Sequence, residues 1–241
     1  VRQIKVMDTL SIPFAWVPPG QSWLGGGDGK EGETSFTLDK GLWCGIYEVT
    51  QEEWQAVMGD NPSYFKDKPN LPVEQVSFNN AIEFIDKLNV RSREFGYTLR
   101  LPSEKEWEYI LRGGPISKPH SGYNYYFARS KTDLTAVAFN DLSSTQANFD
   151  GNYPAGGGKI GPCLEQTSTV GNYLPNPLGI YDLHGNVWEW TSTEKGAARL
   201  YCGGSWLNVG GTCKSSNRFR DVPIFRNSLL GFRLLAVPVD E

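Results

Sequence analysis

The sequence has very few groups suited to enzymatic chemistry. Among 241 residues only His120 and His184 are histidines. A metal site built on several histidines is therefore excluded, and a nucleophile activated by histidine has at most two candidate bases. Four cysteines occur, none at CxxC or zinc-finger spacing. They are Cys44, Cys163, Cys202 and Cys213. Cys202 and Cys213 are close enough in sequence for a disulfide, which only geometry can decide.

The chain also lacks a basic excess and a long apolar run. Its 23 Lys and Arg against 27 Asp and Glu give a net charge of -4. Binding to nucleic acid needs a basic stripe that displaces counterions from phosphates, so it has no electrostatic support here. No apolar run of about 20 residues occurs, so no membrane span is predicted. Val1 is not an initiator methionine, which leaves a removed export segment or lipid anchor open.

Two capping boxes and one amphipathic pattern predict the helices. Apolar residues recur with helical spacing from Phe78 to Phe95, with charged residues on the opposite face. Thr50 with Glu53, and Ser103 with Glu106, have the Ser/Thr-x-x-Glu spacing of a capping box before apolar residues. We therefore expect one long helix over 78–95 and two short helices, which begin after Thr50 and Ser103.

Short extended segments bounded by Gly and Pro predict strands within 12–40, at 41–49 and at 97–101. Residues 115–177 are rich in Gly, Ser, Asn, Tyr and Pro and predict a long irregular region, a kind that is usually functional or inserted. No internal repeat or linker is visible. We therefore expect a single domain over residues 1–241.

The stretch from Leu200 to Leu234 has a different character. Its apolar residues follow neither the period of a strand nor that of a helix. Large apolar side chains stand among Gly, Asn, Asp and Arg, as in a surface loop that carries contacts, and such loops are where binding groups concentrate. A core strand with irregular turns is the alternative, and the pattern alone leaves both open.

Three segments carry a family resemblance. They are Gly96–Gly113 (GYTLRLPSEKEWEYILRG), Gly179–Thr191 (GIYDLHGNVWEWT), and Gly203–Trp206 (GGSW) with Gly231–Arg233 (GFR). In this order they resemble the signatures of the formylglycine-generating-enzyme (sulfatase-modifying-factor) family, a variant of the C-type-lectin-like fold. The resemblance covers most of the chain and implies an α+β fold of that type with much irregular structure.

The resemblance also implies a structural calcium site. In that family the NVWEW segment binds Ca²⁺ through side-chain oxygens and backbone carbonyls. The matching positions here are Asp182, Gly185, Val187 and Glu189, all of which offer the hard oxygen donors that Ca²⁺ prefers. The alternative is that Glu189 accepts hydrogen bonds from the backbone or from an arginine.

Catalytic members of the family resemble copper-dependent cysteine oxidases with two thiols soon after the GGS motif, and thiols are soft ligands suited to Cu(I). Aligned on Gly203–Trp206, the second thiol corresponds to Cys213, whereas the first falls on Asn208. Asn208 cannot replace a thiolate. We therefore expect no copper and no catalytic residue, and a metal-dependent oxidase of the formylglycine-generating type is the alternative.

A second branch resembles the C-terminal stretch more closely. Variable proteins of diversity-generating retroelements share the lectin-like body and end in a constant frame similar to GGSW…C…R…P…R…GFRL. Their variable residues come from mutagenesis of adenines in Asn codons, which cannot yield Lys, Glu, Gln, Met or Trp. None of these five types occurs here at the variable positions, and the two that the stretch contains, Trp206 and Lys214, are frame positions, Lys214 standing where the frame usually has Arg. The exported variable lipoproteins of Treponema are members that this chain resembles.

We therefore expect a non-enzymatic, exported cell-surface protein whose variable region, about 200–234, binds ligands. The predicted contact residues are Leu207, Val209, Phe219, Asp221, Val222, Ile224, Phe225, Asn227, Ser228 and Leu229. Apolar anchors near Asp and Arg fit a protein ligand, in which a few anchors carry most of the affinity. A glycan is the alternative ligand. The frame residues Arg218, Arg226 and Arg233 are expected to bond buried carbonyls or carboxylates.

Overall fold

Three α-helices occur in residues 1–239, the part of the chain that this computed structural model describes. They are α1 (Gln51–Met58), α2 (Phe78–Ser92) and α3 (Glu104–Leu111). Each begins with a capping box, in which the N-cap hydroxyl accepts a hydrogen bond from the third residue and that residue's side chain accepts one from the N-cap. The boxes predicted at Thr50 and Ser103 are confirmed, and Ser77 forms a further one with Asn80.

The helix α2 ends earlier than predicted. Its last residue is Ser92, after which the chain tightens into a 3₁₀ turn over Arg93–Phe95. Gly96 then adopts a left-handed conformation with φ of 85°, which glycine tolerates without a Cβ clash. The turn leads into the strand Tyr97–Arg100, against which α2 packs.

Thirteen strands are formed within the described residues. They are β1 (Arg2–Met7), β2 (Leu10–Val17), β3 (Gly20–Leu24), β4 (Thr34–Leu38), β5 (Leu42–Gly45), β6 (Tyr97–Arg100), β7 (Tyr125–Ala128), β8 (Ala136–Phe139), β9 (Trp188–Lys195), β10 (Ala198–Cys202), β11 (Arg218–Asp221), β12 (Leu230–Gly231) and β13 (Leu235–Pro238). The longest have only eight residues, which is consistent with the many predicted turns.

Two larger sheets organise the molecule. The first has the order β1-β2-β5-β13-β6, so that the last strand of the chain lies between β5 and β6 and pairs antiparallel with both. The second has the order β11-β10-β9-β12, with β12 parallel to β9. Two hairpins, β3-β4 and β7-β8, complete the strand pairing. The C-terminal stretch therefore supplies strands to the second sheet and leads directly into β13 of the first.

The main core lies between α1, α2 and the C-terminal stretch. Trp54 stacks on Phe84 with ring centroids 5.3 Å apart, and Phe232 meets both rings edge-on at 6.2 and 5.5 Å. All three side chains are buried. Phe232 of the GFR motif thus anchors the end of the C-terminal stretch, as aromatic pairs in this geometry stabilise beyond the area they bury.

The predicted irregular region 115–177 forms a separate small cluster. Apart from the hairpin β7-β8 and a 3₁₀ turn at Lys118–Gly122, its described residues are turns and bends. Its buried side chains include Tyr125, Phe127 and Phe149, and Cys213 joins them from the C-terminal stretch. The region therefore packs under that stretch as an ordered insertion.

His184 fastens this insertion to the C-terminal stretch. Its Nε2 accepts a hydrogen bond from the Tyr126 backbone N–H at 3.1 Å, and its Nδ1 lies 2.8 Å from the Cys213 carbonyl. Burial lowers the pKa of the imidazole to about 4, which keeps the ring neutral. A neutral ring that accepts at Nε2 carries its proton at Nδ1, where it donates to Cys213. His184 is thus a structural bridge.

A buried ion pair connects the two larger sheets. Arg233 donates from Nε and Nη2 to the two carboxylate oxygens of Glu189, at 2.7 and 2.6 Å. The same guanidinium donates to the carbonyls of Gly45 and Tyr181, at 3.0 and 2.9 Å. Both ionised side chains are essentially inaccessible to solvent. Trp107 of α3 adds an indole donor to Glu189 at 2.7 Å.

No helix within residues 1–239 combines the length and the apolar character that a membrane crossing requires.

We expect Glu189→Gln to lower the free energy of unfolding by about 3–5 kcal/mol, because it leaves the Arg233 charge buried and uncompensated. Urea denaturation measures the loss. The matched control is Glu83→Gln, since Glu83 pairs with Lys87 on the surface of α2 with both side chains about half exposed. We expect the control to cost less than about 1 kcal/mol. Equal effects of the two substitutions would contradict the assigned role of the pair.

Candidate functional site

Five large apolar side chains of the C-terminal stretch are exposed to solvent. We call this set the exposed face; its members are Leu207, Val209, Phe219, Val222 and Ile224. Their exposed fractions lie between 45% and 73%. Scattered single exposed apolar residues are normal, so five on one stretch make that stretch a candidate interaction surface. These five belong to the ten predicted contact residues.

Phe219 is placed by the second sheet. It lies on β11, opposite Tyr201 of β10. Its ring packs against Trp188 at 5.1 Å and lies parallel to Tyr201 at 6.3 Å. One side of the ring thus rests on a rigid aromatic support while the other remains in solvent. The prediction of a surface loop is wrong for residues 218–221, because they form a strand. All four residues of that strand are nevertheless exposed or half-buried.

Trp206 holds the segment that carries Leu207. Its backbone N–H donates to the Asn186 carbonyl at 2.9 Å, and its indole donates to the Ser228 carbonyl at 3.0 Å. Phe65 meets the indole edge-on at 5.3 Å. Since Trp206 is buried and bonded at both ends, the exposed Leu207 side chain projects from a fixed backbone.

The segment 222–229 is held at the N-terminal end of α2. The Phe225 N–H donates to the Val222 carbonyl, which closes a turn with Ile224 at its tip. Asn79 donates to the Pro223 carbonyl at 3.2 Å, and Gln75 donates to the Asn227 carbonyl at 2.9 Å. This segment is therefore irregular in conformation but fixed in place.

The other five predicted contact residues lie less openly. Asp221, Asn227 and Ser228 are partly exposed. Phe225 and Leu229 are half-buried and pack against the main core. The predicted residues thus divide into the exposed face, a polar group beside it, and two side chains that contribute to the core as well.

The frame arginines behave as predicted in two cases of three. Arg233 bonds the buried Glu189. Arg218 donates to Glu104 at 3.1 Å and reaches Glu108 as well as two backbone carbonyls. Arg226 differs, because it is exposed and lines a cleft beside Tyr64. The prediction of a buried partner is wrong for Arg226.

The four predicted calcium ligands lie in one buried region. Glu189 accepts from Arg233 and Trp107, which is the alternative that the sequence left open. Asp182 accepts from the Gly171 N–H at 2.6 Å. Within residues 1–239 no group of three or more His, Cys, Asp or Glu side chains has the arrangement of a metal site. A calcium ion here stays a prediction that would depend on Asp182 and backbone oxygens.

Glu48 is an acidic residue near this region that the sequence patterns did not indicate. Glu48 is fully buried, its Oε1 accepts from the Asn186 amide at 3.0 Å, and its Oε2 has no partner. Burial raises the pKa of Glu48, and the negative charge of Asp182 raises it further. Burial also raises the pKa of Asp182, to about 6. A cation that bound here would favour the ionised forms of both carboxyls, and the unpartnered Glu48 oxygen is a donor of the kind that Ca²⁺ prefers. No motif in the sequence joins Glu48 to Asp182, so only the fold shows this.

The thiols of Cys202 and Cys213 are buried and unpaired. All four cysteines are free, so Cys202 and Cys213 form no disulfide. Burial raises the pKa of both thiols to about 12, which keeps them protonated. At the position of the first family thiol, the Asn208 side chain accepts from the Ser205 hydroxyl at 2.7 Å.

The chain is similar to known proteins in sequence and in fold. The model of the Sulfatase-modifying factor enzyme 1-like domain matches residues 12–237. Chaperone protein LppX of Paenibacillus barcinonensis is 32% identical over 233 residues, covering 79% of this chain and 80% of that protein. Inactive C-alpha-formylglycine-generating enzyme 2 of Bos taurus is 30% identical over 195 residues. The match covers 77% of this chain and 56% of the bovine protein, a little over half of its length.

Among solved structures, Treponema denticola variable protein 1 has a TM-score of 0.74 at 23% identity, with 98% of this chain and 99% of that chain covered. This likeness is one of fold. It confirms the predicted α+β, C-type-lectin-like architecture of the formylglycine-generating type, while the family match confirms the resemblance found in the three sequence segments. The chain belongs to the family of sulfatase-modifying factor enzyme 1-like domains.

Proposed function

We propose that this protein is a non-enzymatic binding protein that presents the exposed face to a protein ligand at the cell surface. The observation that carries the proposal is the contrast within one stretch. Trp206, Phe232 and Arg233 are buried and bonded, whereas the five apolar side chains between them are open to solvent. Such side chains, held on a rigid support, lose little conformational freedom on binding.

The chemistry of the face favours a protein over a glycan. Phe219 and the aliphatic members would bury apolar area against a partner. Asp221, between Phe219 and Val222 in the chain, would bond polar groups of the partner at the rim of the interface. A glycan would depend chiefly on polar groups or a bound cation. Presentation to an outside partner requires export, and we include a lipid anchor in the proposal on the strength of the resemblance alone.

Diversification by a retroelement is part of the same proposal. The ten predicted contact residues contain none of the five residue types that adenine mutagenesis of Asn codons cannot produce. The side chains of the exposed face contribute little to the hydrophobic core, so their replacement would leave the frame intact. This arrangement supports a scaffold that keeps its fold while the contact residues change.

The oxidase alternative finds little support in the site. A Cu(I) centre of two thiols would need a second thiolate beside Cys213, and Asn208 stands in its place. The burial of Cys213 also disfavours its thiolate. The donor chemistry of these two side chains, a protonated thiol and an amide, is unsuited to the reaction.

For binding, we expect Phe219→Ala and Ile224→Ala each to weaken a ligand about tenfold or more, since such anchors carry most of the affinity. The ligand is a peptide selected from a random phage library on the immobilised protein, and calorimetry with the synthetic peptide measures the dissociation constant. Matched controls are Phe139→Ala and Ile160→Ala, which are 40% and 74% exposed on the insertion. Peptides that bind all four variants equally well would refute the assigned face.

For diversification, we expect the gene to be followed by a near-copy of the segment that encodes Cys202 to Arg233. The copy differs chiefly at adenines and is accompanied by a reverse-transcriptase gene. Sequencing of the genomic neighbourhood checks this. A neighbourhood without such a copy would contradict the retroelement and direct attention to the oxidase alternative, through Cu(I) titration of the wild type against Cys213→Ser.

For calcium, we propose a structural ion held by Asp182 with the carbonyls of Gly185 and Val187, supported by the unsatisfied Glu48 oxygen nearby. We expect millimolar CaCl₂ to raise the thermal midpoint of the chelator-treated protein, because an ion that binds only the folded state stabilises it. Asp182→Asn removes that increment. Asp141→Asn, a change on the insertion, retains it. An unchanged wild-type midpoint would show that Arg233 alone balances the buried acids.

A further inference from the structure

A cleft of about 600 Å³ lies beside the exposed face. It is formed between the segment after α1 and the segment 222–229. Its lining residues are Pro62, Ser63, Tyr64, Lys66, Gln75 and Arg226. Only Arg226 comes from the C-terminal stretch, and none of the six belongs to the ten predicted contact residues.

The cleft carries an unbalanced positive charge. Lys66 and Arg226 are both exposed, and neither has a salt-bridge partner within 4.0 Å among residues 1–239. Most other arginines of the C-terminal half are paired with carboxylates, as Arg218 is with Glu104 and Arg199 with Glu194. The cleft thus has two unpaired cations on opposite walls. It is a local positive site in a chain whose net charge is -4.

The walls of the cleft are fixed from below by Glu74. The buried Glu74 carboxyl accepts from the Phe65 N–H at 2.8 Å, while the Glu74 backbone N–H donates to the Ser63 hydroxyl at 3.2 Å. The next residue, Gln75, has a φ of 62°, a left-handed conformation that is unfavourable for residues other than glycine. Gln75 donates to the Asn227 carbonyl at 2.9 Å and so ties the two walls together. This bond fixes the two walls to each other at Gln75.

Glu74 offsets the positive charge of the cleft only in part. Burial raises the pKa of this carboxyl to about 7, against the opposing influence of Phe65, Tyr64 and Lys66. At neutral pH a substantial fraction of Glu74 is therefore protonated, and its second oxygen has no partner. The positive charge of Lys66 remains available to an incoming group.

The cleft is continuous with the exposed face. Tyr64 is 71% exposed and meets Phe65 edge-on at 5.0 Å, and Phe65 meets Trp206 in the same way at 5.3 Å. Trp206 immediately precedes Leu207 of the face. Arg226 lies two residues after Ile224, whose side chain is at the tip of the turn. A single extended partner can therefore reach both surfaces.

We propose that this cleft is a fixed anion-binding subsite that takes a carboxylate of an acidic segment of the protein ligand. The proposal rests on the proposed function, because it adds an anchor to the same partner. The guanidinium of Arg226 offers two parallel donors that match a carboxylate, Lys66 adds a point charge, and Tyr64 offers a hydroxyl and a ring face. The exposed face selects the partner by shape, and the cleft contributes a constant electrostatic contact.

The test uses selection from a random peptide phage library on the whole wild-type chain and on the double variant Lys66→Gln/Arg226→Gln. We expect Asp and Glu to be enriched at one position of the wild-type binders and not among those of the double variant. The synthetic wild-type binder loses about tenfold or more in affinity toward the double variant. It loses a similar factor when its acidic residue is replaced by the amide, and little further when both changes are combined.

Lys68→Gln is the matched control, since Lys68 is an exposed lysine two residues from Lys66 that does not line this cleft. It leaves affinity unchanged, and thermal melting verifies that every variant is folded. Binders without acidic enrichment, or acidic binders indifferent to the double substitution, overturn the subsite while the proposed function stands. A library that yields no binder sensitive to Phe219→Ala overturns the proposed function and the subsite with it.

Discussion

The buried pair of Glu189 and Arg233 is the interaction on which the rest of this structure depends. Two ionised groups removed from water cost several kcal/mol each, and only full hydrogen bonding offsets that cost. Here the guanidinium contacts both carboxylate oxygens and the carbonyls of Gly45 and Tyr181. These partners come from the second sheet, the first sheet and the segment before β9. Because the bonds are directional, they fix how the two sheets meet and where the C-terminal stretch enters and leaves the core.

This constraint separates two tasks within one stretch of chain. Phe232 and Arg233 hold its end in the core, and Trp206 holds its beginning through the carbonyls of Asn186 and Ser228. Between these anchors only β11 and β12 are strands, and the irregular segment 222–229 is held by backbone hydrogen bonds from Gln75 and Asn79. Exposed side chains such as Ile224 therefore add little to stability, and they are the ones that can change without loss of the fold.

Sequence patterns predicted the features that depend on local or motif-level chemistry. The capping boxes at Thr50 and Ser103 and the family segments around Glu189 are of this kind. The strand β11 could not be predicted, because its residues do not alternate and it forms only through pairing with β10. The half-burial of Phe225 and the exposure of Arg226 depend likewise on what lies opposite in space, which no local pattern records.

The half-buried Phe225 and Leu229 limit how far the proposed contact surface could vary. Both lie within the predicted contact region, yet both pack against the main core. Replacement of a half-buried apolar group by a polar one sacrifices part of its burial free energy, which for a fully buried side chain is about 1.5–3 kcal/mol. A fully open position such as Ile224 has almost none to lose. Variation is therefore freest at the tip of the turn and on the outer side of β11, and it becomes costlier toward the core. Under the proposed diversification, this gradient of burial would set the useful diversity of the surface, rather than the number of positions that can mutate.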